Sequence, residues 1–322
     1  MAYITRQDFK DTFIRFWQHG ALGYLGKVFK TNANRTITTF DLNAAHANWW
    51  LLPQAHNMLH TRLNIGALQH YMELAYINAA NLCGYKNLRI LSVGCGSGAQ
   101  EFLWAHLLPK CTIDAIDITP KNIAAATKLA ATNGYKNINF MVSSWEAINT
   151  NKKYDIVLFH SSLHHLANMA GVFNKIKVHL NSFGVLVLHD YVGAAKHQFT
   201  QTQLQIANQL LQATPKHLRK IFKTPFYKIK VGKPGLLRMY LNDPSEAIES
   251  HKIRPLLKQY TTPIFQQELG ANVFVPYLKE IAHNFVTETD ENTSILEQVF
   301  VAEKQFIATN QSDFIFGIYR FN

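Results

Sequence analysis

Two groups of residues in this 322-residue chain have the types and spacing that chemistry needs. The first is the run VGCGSGAQE, in which Gly94, Gly96 and Gly98 recur at every second position around Cys95. A glycine at the first place lets a chain leave a strand sharply, one at the second lets a ligand approach the backbone, and one at the third lets a following helix pack closely. Nineteen residues past Gly98 lies Asp117, where a carboxylate ending the next strand accepts bonds from ribose hydroxyls. The second group is His160, His164, His165, His189, Asp190 and Tyr191, at the ends of two later apolar runs. Histidine titrates near neutrality, with an unperturbed pKa of about 6.5, and so suits removal of a proton from an alcohol, phenol or amine. Each of these histidines has a structural alternative as a hydrogen-bonding residue. If His164 and His165 are helical, they point about 100° apart and only one can serve.

Buried strands are the elements that must place these groups. Leu88 to Val93, Thr112 to Ile116, Ile138 to Val142, Tyr154 to Phe159 and Phe183 to Leu188 are short runs rich in Ile and Val, as strands covered on both faces require. Helical patterns separate them at Ala99 to Leu108, Pro120 to Ala131 and Leu163 to Leu180. This alternation predicts an α/β fold with a doubly wound, mostly parallel sheet. Residues 1–85 read as an N-terminal helical cap, with Trp49, Trp50 and Tyr71 expected to enclose a bound small molecule, and residues 86–322 as the core. Within the core, residues 192–260 read as a helical, basic insertion, and Asp243-Pro244-Ser245-Glu246 predicts a helix from there to about Lys258. Thr262 to Gln267 and Phe314 to Phe321 are strand-like and would complete the sheet at its edge.

The successive segments LRILSVGCGSGAQE, AIDITP, YDIVLFHSSLHHL and FGVLVLHDYVG resemble, in order and spacing, the motifs of class I S-adenosylmethionine-dependent methyltransferases. The resemblance covers Leu88 to Tyr191 and extends more weakly to DPSEAIESHKIRPLL and SDFIFGIYRF, which look like a bacterial small-molecule subgroup. It implies a seven-stranded sheet and S-adenosylmethionine as cofactor. It also implies that Gly94, Cys95, Gly96 and Gly98 lie under the methionine part, that Asp117 holds the ribose, and that Ile118 lines the adenine. Ser144 and Trp145 would reach the adenine amine, and His160 would end beside the methyl group. His164, His165 and Tyr191 are the catalytic candidates. Two positions depart from the family pattern, because Ser92 stands where an acid is common and Ser144 stands where an Asp is common.

Composition narrows the partners. The net charge is +11, and between Ile156 and Asn242 eleven basic residues face Asp190 as the single acid. Such a stretch is a solvated surface or a field for an anion. A small-molecule acceptor, methylated on oxygen or nitrogen, is the favoured reading; an RNA or protein methyltransferase and a catalytically silent relative are the alternatives. No [DN]-P-P-[FYW] run follows the fourth strand, which disfavours nucleobase amines. His160 ends that strand in place of a metal-binding Asp, and no Glu or Cys joins His56 and His60, so no metal is expected. Three cysteines and a start without signal-peptide character predict a reduced, cytoplasmic protein. The longest apolar run, GVLVLHDYVG, is interrupted by His189 and Asp190, so no membrane span is expected. Nothing in the sequence sets an oligomeric state.

Overall fold

Five strands form where the buried runs predict them: β1 (Arg89–Val93), β2 (Thr112–Asp117), β3 (Ile138–Val142), β4 (Tyr154–His160) and β5 (Leu180–Tyr191). With β6 (Thr261–Gly270) and β7 (Phe314–Phe321) they make one seven-stranded sheet in the order β3-β2-β1-β4-β5-β7-β6. The structure, a computed structural model, describes residues 3–28, 52, 54–55, 58, 71–84, 87–148 and 151–322. Pairing is parallel between β1 and β2, β1 and β4, β2 and β3, and β4 and β5. The helices are α1 (Arg6–Val28), broken at Gly20, α2 (Tyr71–Leu82), α3 (Ala99–Leu107), α4 (Pro120–Thr132), α5 (Met169–His179), α6 (Gln201–Ala213), α7 (Leu236–Asn242), α8 (Ile253–Tyr260), α9 (Phe274–Leu278) and α10 (Asp290–Ile307). Trp49, Trp50, His56 and His60 lie outside the described residues, and Tyr71 opens α2.

The chain divides into two units. The first comprises residues 1–67, 193–246 and 268–314, and the second residues 68–192, 247–267 and 315–322. In the second unit, one face of β1, β4 and β5 presents Val93, Phe159 and Leu188 to Phe173 and Ile176 of α5, to Leu257 of α8 and to Ile315 of β7. In the first unit α6, α9 and α10 pack together. There the buried Glu303 carboxylate accepts from the Asn272, Val273 and Phe274 amides and so caps the start of α9.

Three helical expectations give way. The helix expected from Leu163 to Leu180 is a single 3₁₀ turn at Leu163–His165 followed by α5. Ser161 (φ 55°) and Asn168 (φ 52°) take left-handed backbone on either side of that turn, which a continuous helix forbids. The helix expected from Asp243 starts only at Ile253, as α8. Asp243 Oδ1 instead accepts from the Ser245 amide and hydroxyl, closing a local turn, and Ala247 has φ 47°. Finally, the basic insertion expected to be helical is broken in its most charged part, where Lys216, Arg219, Lys220 and Lys223 do not share a helix. Lys216–Arg219 is a 3₁₀ turn, Lys220 then bridges antiparallel to Tyr227, and Lys223 takes left-handed backbone (φ 54°), which no continuous helix accommodates.

Candidate active site

Where β1 ends, the Gly94 and Cys95 amides both donate to the Ile116 carbonyl, at 2.8 and 3.0 Å, so the chain folds over the end of β2. Each glycine of the run then has its own reason. Gly94 (φ 73°) would place a Cβ 2.5 Å from Ser162 Cβ, and Gly98 (φ 87°) would place one 2.8 Å from the Phe140 ring. Gly96 (φ 54°) meets nothing within 4 Å, which leaves its backbone open to a ligand. Asp117 faces that opening. Its Oδ2 accepts from the Gly96 amide at 2.9 Å and its Oδ1 from the Thr119 amide at 2.8 Å. One bond per oxygen leaves further lone pairs on each for ribose hydroxyls.

Glu101 answers the missing acid at Ser92, and the sequence reading passed it over. Ser92 Oγ donates to Glu101 Oε1 at 2.5 Å, and both residues are buried. A carboxylate therefore stands beside the end of β1 after all, carried by the first turn of α3. Burial pushes the Glu101 carboxyl up to about 7, the Asp117 charge adds to this, and the Ser92 bond opposes it. Glu101 Oε2 is buried with no hydrogen-bond partner. Burial first, and then the Glu101 and Asp117 charges, also push the Cys95 thiol far up, so it stays protonated at neutral pH.

Ile118 is half-buried next to Asp117. Ser144 Oγ accepts from the Ala147 amide at 3.1 Å, which closes the turn after β3. The Trp145 ring is buried edge-on against Phe159 and His179, with centroids 5.6 and 5.9 Å away, and Lys175 lies over it at 5.2 Å. The indole thus belongs to the core, and the Trp145 carbonyl accepts from Lys175 Nζ at 2.6 Å, so a ligand at this position meets the chain at its second lone pair or at neighbouring backbone.

The histidine loop is organised by one carboxylate. Asp190, fully buried at the end of β5, accepts from the Ser162 and Leu163 amides on Oδ2, at 2.9 and 2.7 Å. On Oδ1 it accepts from the Tyr191 amide at 2.7 Å and meets His164 Nδ1 at 2.5 Å. His165 sits against His164 with ring centroids 4.0 Å apart, and Tyr191, buried, stands edge-on to His164 at 6.1 Å. His160 stacks on His189 at 4.5 Å; burial, with the neighbouring His160, holds His189 well below the ordinary imidazole range, so it is neutral. Ser162 joins this loop to the glycine turn. Its Oγ donates to the Val93 carbonyl at 2.6 Å, and its Cβ occupies the space over Gly94.

The sequence profile of a family described as a methyltransferase domain matches residues 85–266, more than half of the chain. The chain belongs to this methyltransferase-domain family. A ubiquinone biosynthesis O-methyltransferase of Rickettsia prowazekii is 29% identical over 141 residues, covering 44% of this chain and 53% of that protein. A malonyl-[acyl-carrier protein] O-methyltransferase of Acetivibrio thermocellus is 30% identical over 124 residues, covering 38% of this chain and 43% of that protein. The chain thus spans about half the length of the curated relatives it matches. Among solved structures, the YcgJ protein from Bacillus subtilis has a TM-score of 0.41 and 15% identity, covering 78% of this chain and 96% of that one.

Within this methyltransferase domain, Asp117 at the end of β2 meets the turn of Gly94, Cys95, Gly96 and Gly98, and Asp190 and Tyr191 at the end of β5 meet the loop of His164 and His165 beside it. Ser162 and Glu101 are the residues that sequence reasoning missed. A signal for Glu101 was present in its position, an acid in the first turn after the last glycine. Ser162 had none, since its contact with Gly94 depends on the fold.

Proposed function

We propose that this chain transfers a methyl group from S-adenosylmethionine to an oxygen or nitrogen of a small-molecule acceptor. The observation that carries the reading is the open backbone at Gly96 facing an Asp117 with acceptor capacity to spare, beside a His-Asp pair. When bound, the cofactor supplies a methyl on a sulfonium, already activated for in-line displacement. Asp117 holds the ribose hydroxyls, the Gly94 to Gly98 turn supports the methionine part, Ile118 lines the adenine, and the backbone at Ser144 and Trp145 reaches its amine. Asp190 accepts a hydrogen bond from Nδ1 of His164, which fixes the ring and its tautomer and makes Nε2 the nitrogen suited to take the acceptor's proton. His165 and Tyr191 pack against the His164 ring, and His160, ending β4, is the residue read as lying beside the methyl group.

Both named relatives are O-methyltransferases, which favours oxygen as the nucleophile. Of the eleven basic residues between Ile156 and Asn242, Lys196, Lys228 and Arg238 are buried and unavailable to phosphate, which reduces, without removing, the field that a nucleic-acid acceptor would need. The described cysteines are free thiols, and among the described residues no helix is long and apolar enough to cross a membrane. The reading assigns the protein to the reducing cytoplasm. Titration calorimetry with S-adenosylmethionine, its demethylated product and NAD tests the assignment. The first two are expected to bind and NAD is not, and Asp117→Ala is expected to weaken binding about 10- to 150-fold, as loss of hydrogen bonds to a charged group does. Preferential NAD binding, or unchanged affinity in that variant, would overturn it.

A further inference from the structure

Helix α1 carries its polarity reversed. Among its described side chains the buried ones are Asp8, Asp11 and Ile14. Asp8 Oδ1 accepts from the Gly235 amide at 2.7 Å and from Arg238 Nε at 3.0 Å, and Asp11 Oδ2 lies 2.8 Å from Arg238 Nη2. The outward residues are Phe9, Phe13 and Trp17, which are 72%, 56% and 55% exposed. Spacing by four places them along one stripe.

The chain from Phe222 to Lys233 runs antiparallel alongside this helix, within the same unit. Gln18 Nε2 donates to the Phe222 carbonyl, the Phe13 and Trp17 rings pack on Phe226 at 5.3 and 5.2 Å, Lys10 Nζ donates to the Lys230 carbonyl, and Thr5 Oγ1 donates to the Lys233 carbonyl. To the aromatic stripe it adds Ile229, 72% exposed, and the exposed Lys223, Lys230 and Lys233. Among the described residues the acid nearest this segment is the half-buried Glu280, whose carbonyl accepts from the Phe222 amide, so lysines outnumber acids along it. Asp8 and Asp11 are the only acids among residues 1–20 and both are engaged by Arg238, while residues 191–242 contain none.

We propose that this face of α1 and the segment beside it form a docking surface for an anionic phospholipid bilayer. Aromatic side chains with lysines around them are the composition of helices that lie in the headgroup region, rings at the acyl boundary and ammonium groups on lipid phosphates. A protein partner fits less well, since lysine is depleted from protein interfaces where arginine and aromatics are enriched. A second copy of this chain would set the same lysines against one another. The inference is independent of the methyl-transfer reading.

Flotation of the purified full chain with phosphatidylcholine vesicles, with and without about one-third phosphatidylglycerol, tests it. Each lysine held at an anionic surface multiplies binding about fivefold, so anionic lipid is expected to raise partitioning roughly a hundredfold. Lys223→Gln/Lys230→Gln/Lys233→Gln, at three exposed positions, is expected to abolish that gain, and Phe9→Ser/Phe13→Ser to abolish flotation on either vesicle. Failure of the unmodified chain to float with anionic vesicles would overturn the proposal, as would undiminished flotation of the triple glutamine variant. A dimer in sedimentation velocity that Phe9→Ser/Phe13→Ser dissociates would overturn it in favour of a second copy.

Discussion

The turn after β1 and the loop after β4 are each held by a carboxylate that binds backbone amides, yet the two carboxylates do different work. Asp117 takes one amide per oxygen and keeps lone pairs for something outside the protein. Asp190 takes three amides and an imidazole, and so uses its capacity inside the fold. One is built to be completed by a ligand; the other acts through the ring it orients. The difference also separates what each region controls, affinity on one side and proton removal on the other.

Substituting His164 by Asn tests that separation hardest. Turnover is expected to fall by ~10² to 10⁴, with calorimetric cofactor affinity nearly unchanged; an equal loss of affinity would merge the two regions into one. Glu101→Gln probes the glycine turn from within. The folded carboxyl is raised from 4.5 to about 7, so between these values the native state binds more protons than the unfolded one. Its contribution therefore weakens the fold as pH rises through that window, by about 3 kcal/mol for a shift of this size. Urea unfolding of the parent at pH 5 and pH 8 is expected to show that decline, and the Gln variant to lack it. Ser162→Ala, the smallest change, removes the bond to the Val93 carbonyl and is expected to cost about 0.5 to 1.5 kcal/mol in urea unfolding. If it lowers both affinity and turnover by more than a few fold, the tie between the regions matters to function as well as to stability.

Legibility in the sequence followed the range of the interactions. Strands covered on both faces are continuous apolar runs, so β1 to β4 lie within a residue or so of their expected places. The glycine turn was equally plain, because left-handed backbone and close approach leave glycine as the suitable residue. The histidine loop was not. Residues Leu163 to His165 carry a helical pattern, and what holds them in a 3₁₀ turn is a carboxylate contributed by β5. Asp243 misled for a related reason. A capping residue and an Asx turn share the same first hydrogen bond, and the left-handed Ala247 decides between them. In the basic stretch, charge was legible and conformation was not, since the pairing of Lys220 with Tyr227 leaves no local mark.

The strand order has a consequence for synthesis. β7 inserts between β5 and β6, although the ribosome makes it after both. From the end of β6 to the end of β7 about 50 residues must emerge, roughly 3 to 10 s of translation. Throughout that interval β5 presents an unpaired, apolar edge able to recruit strands from other nascent chains. The last strand thus acts as the closing piece of a kinetic race, and a slow stretch of translation ahead of Phe314 would raise the yield of aggregate without altering the stability of the finished protein.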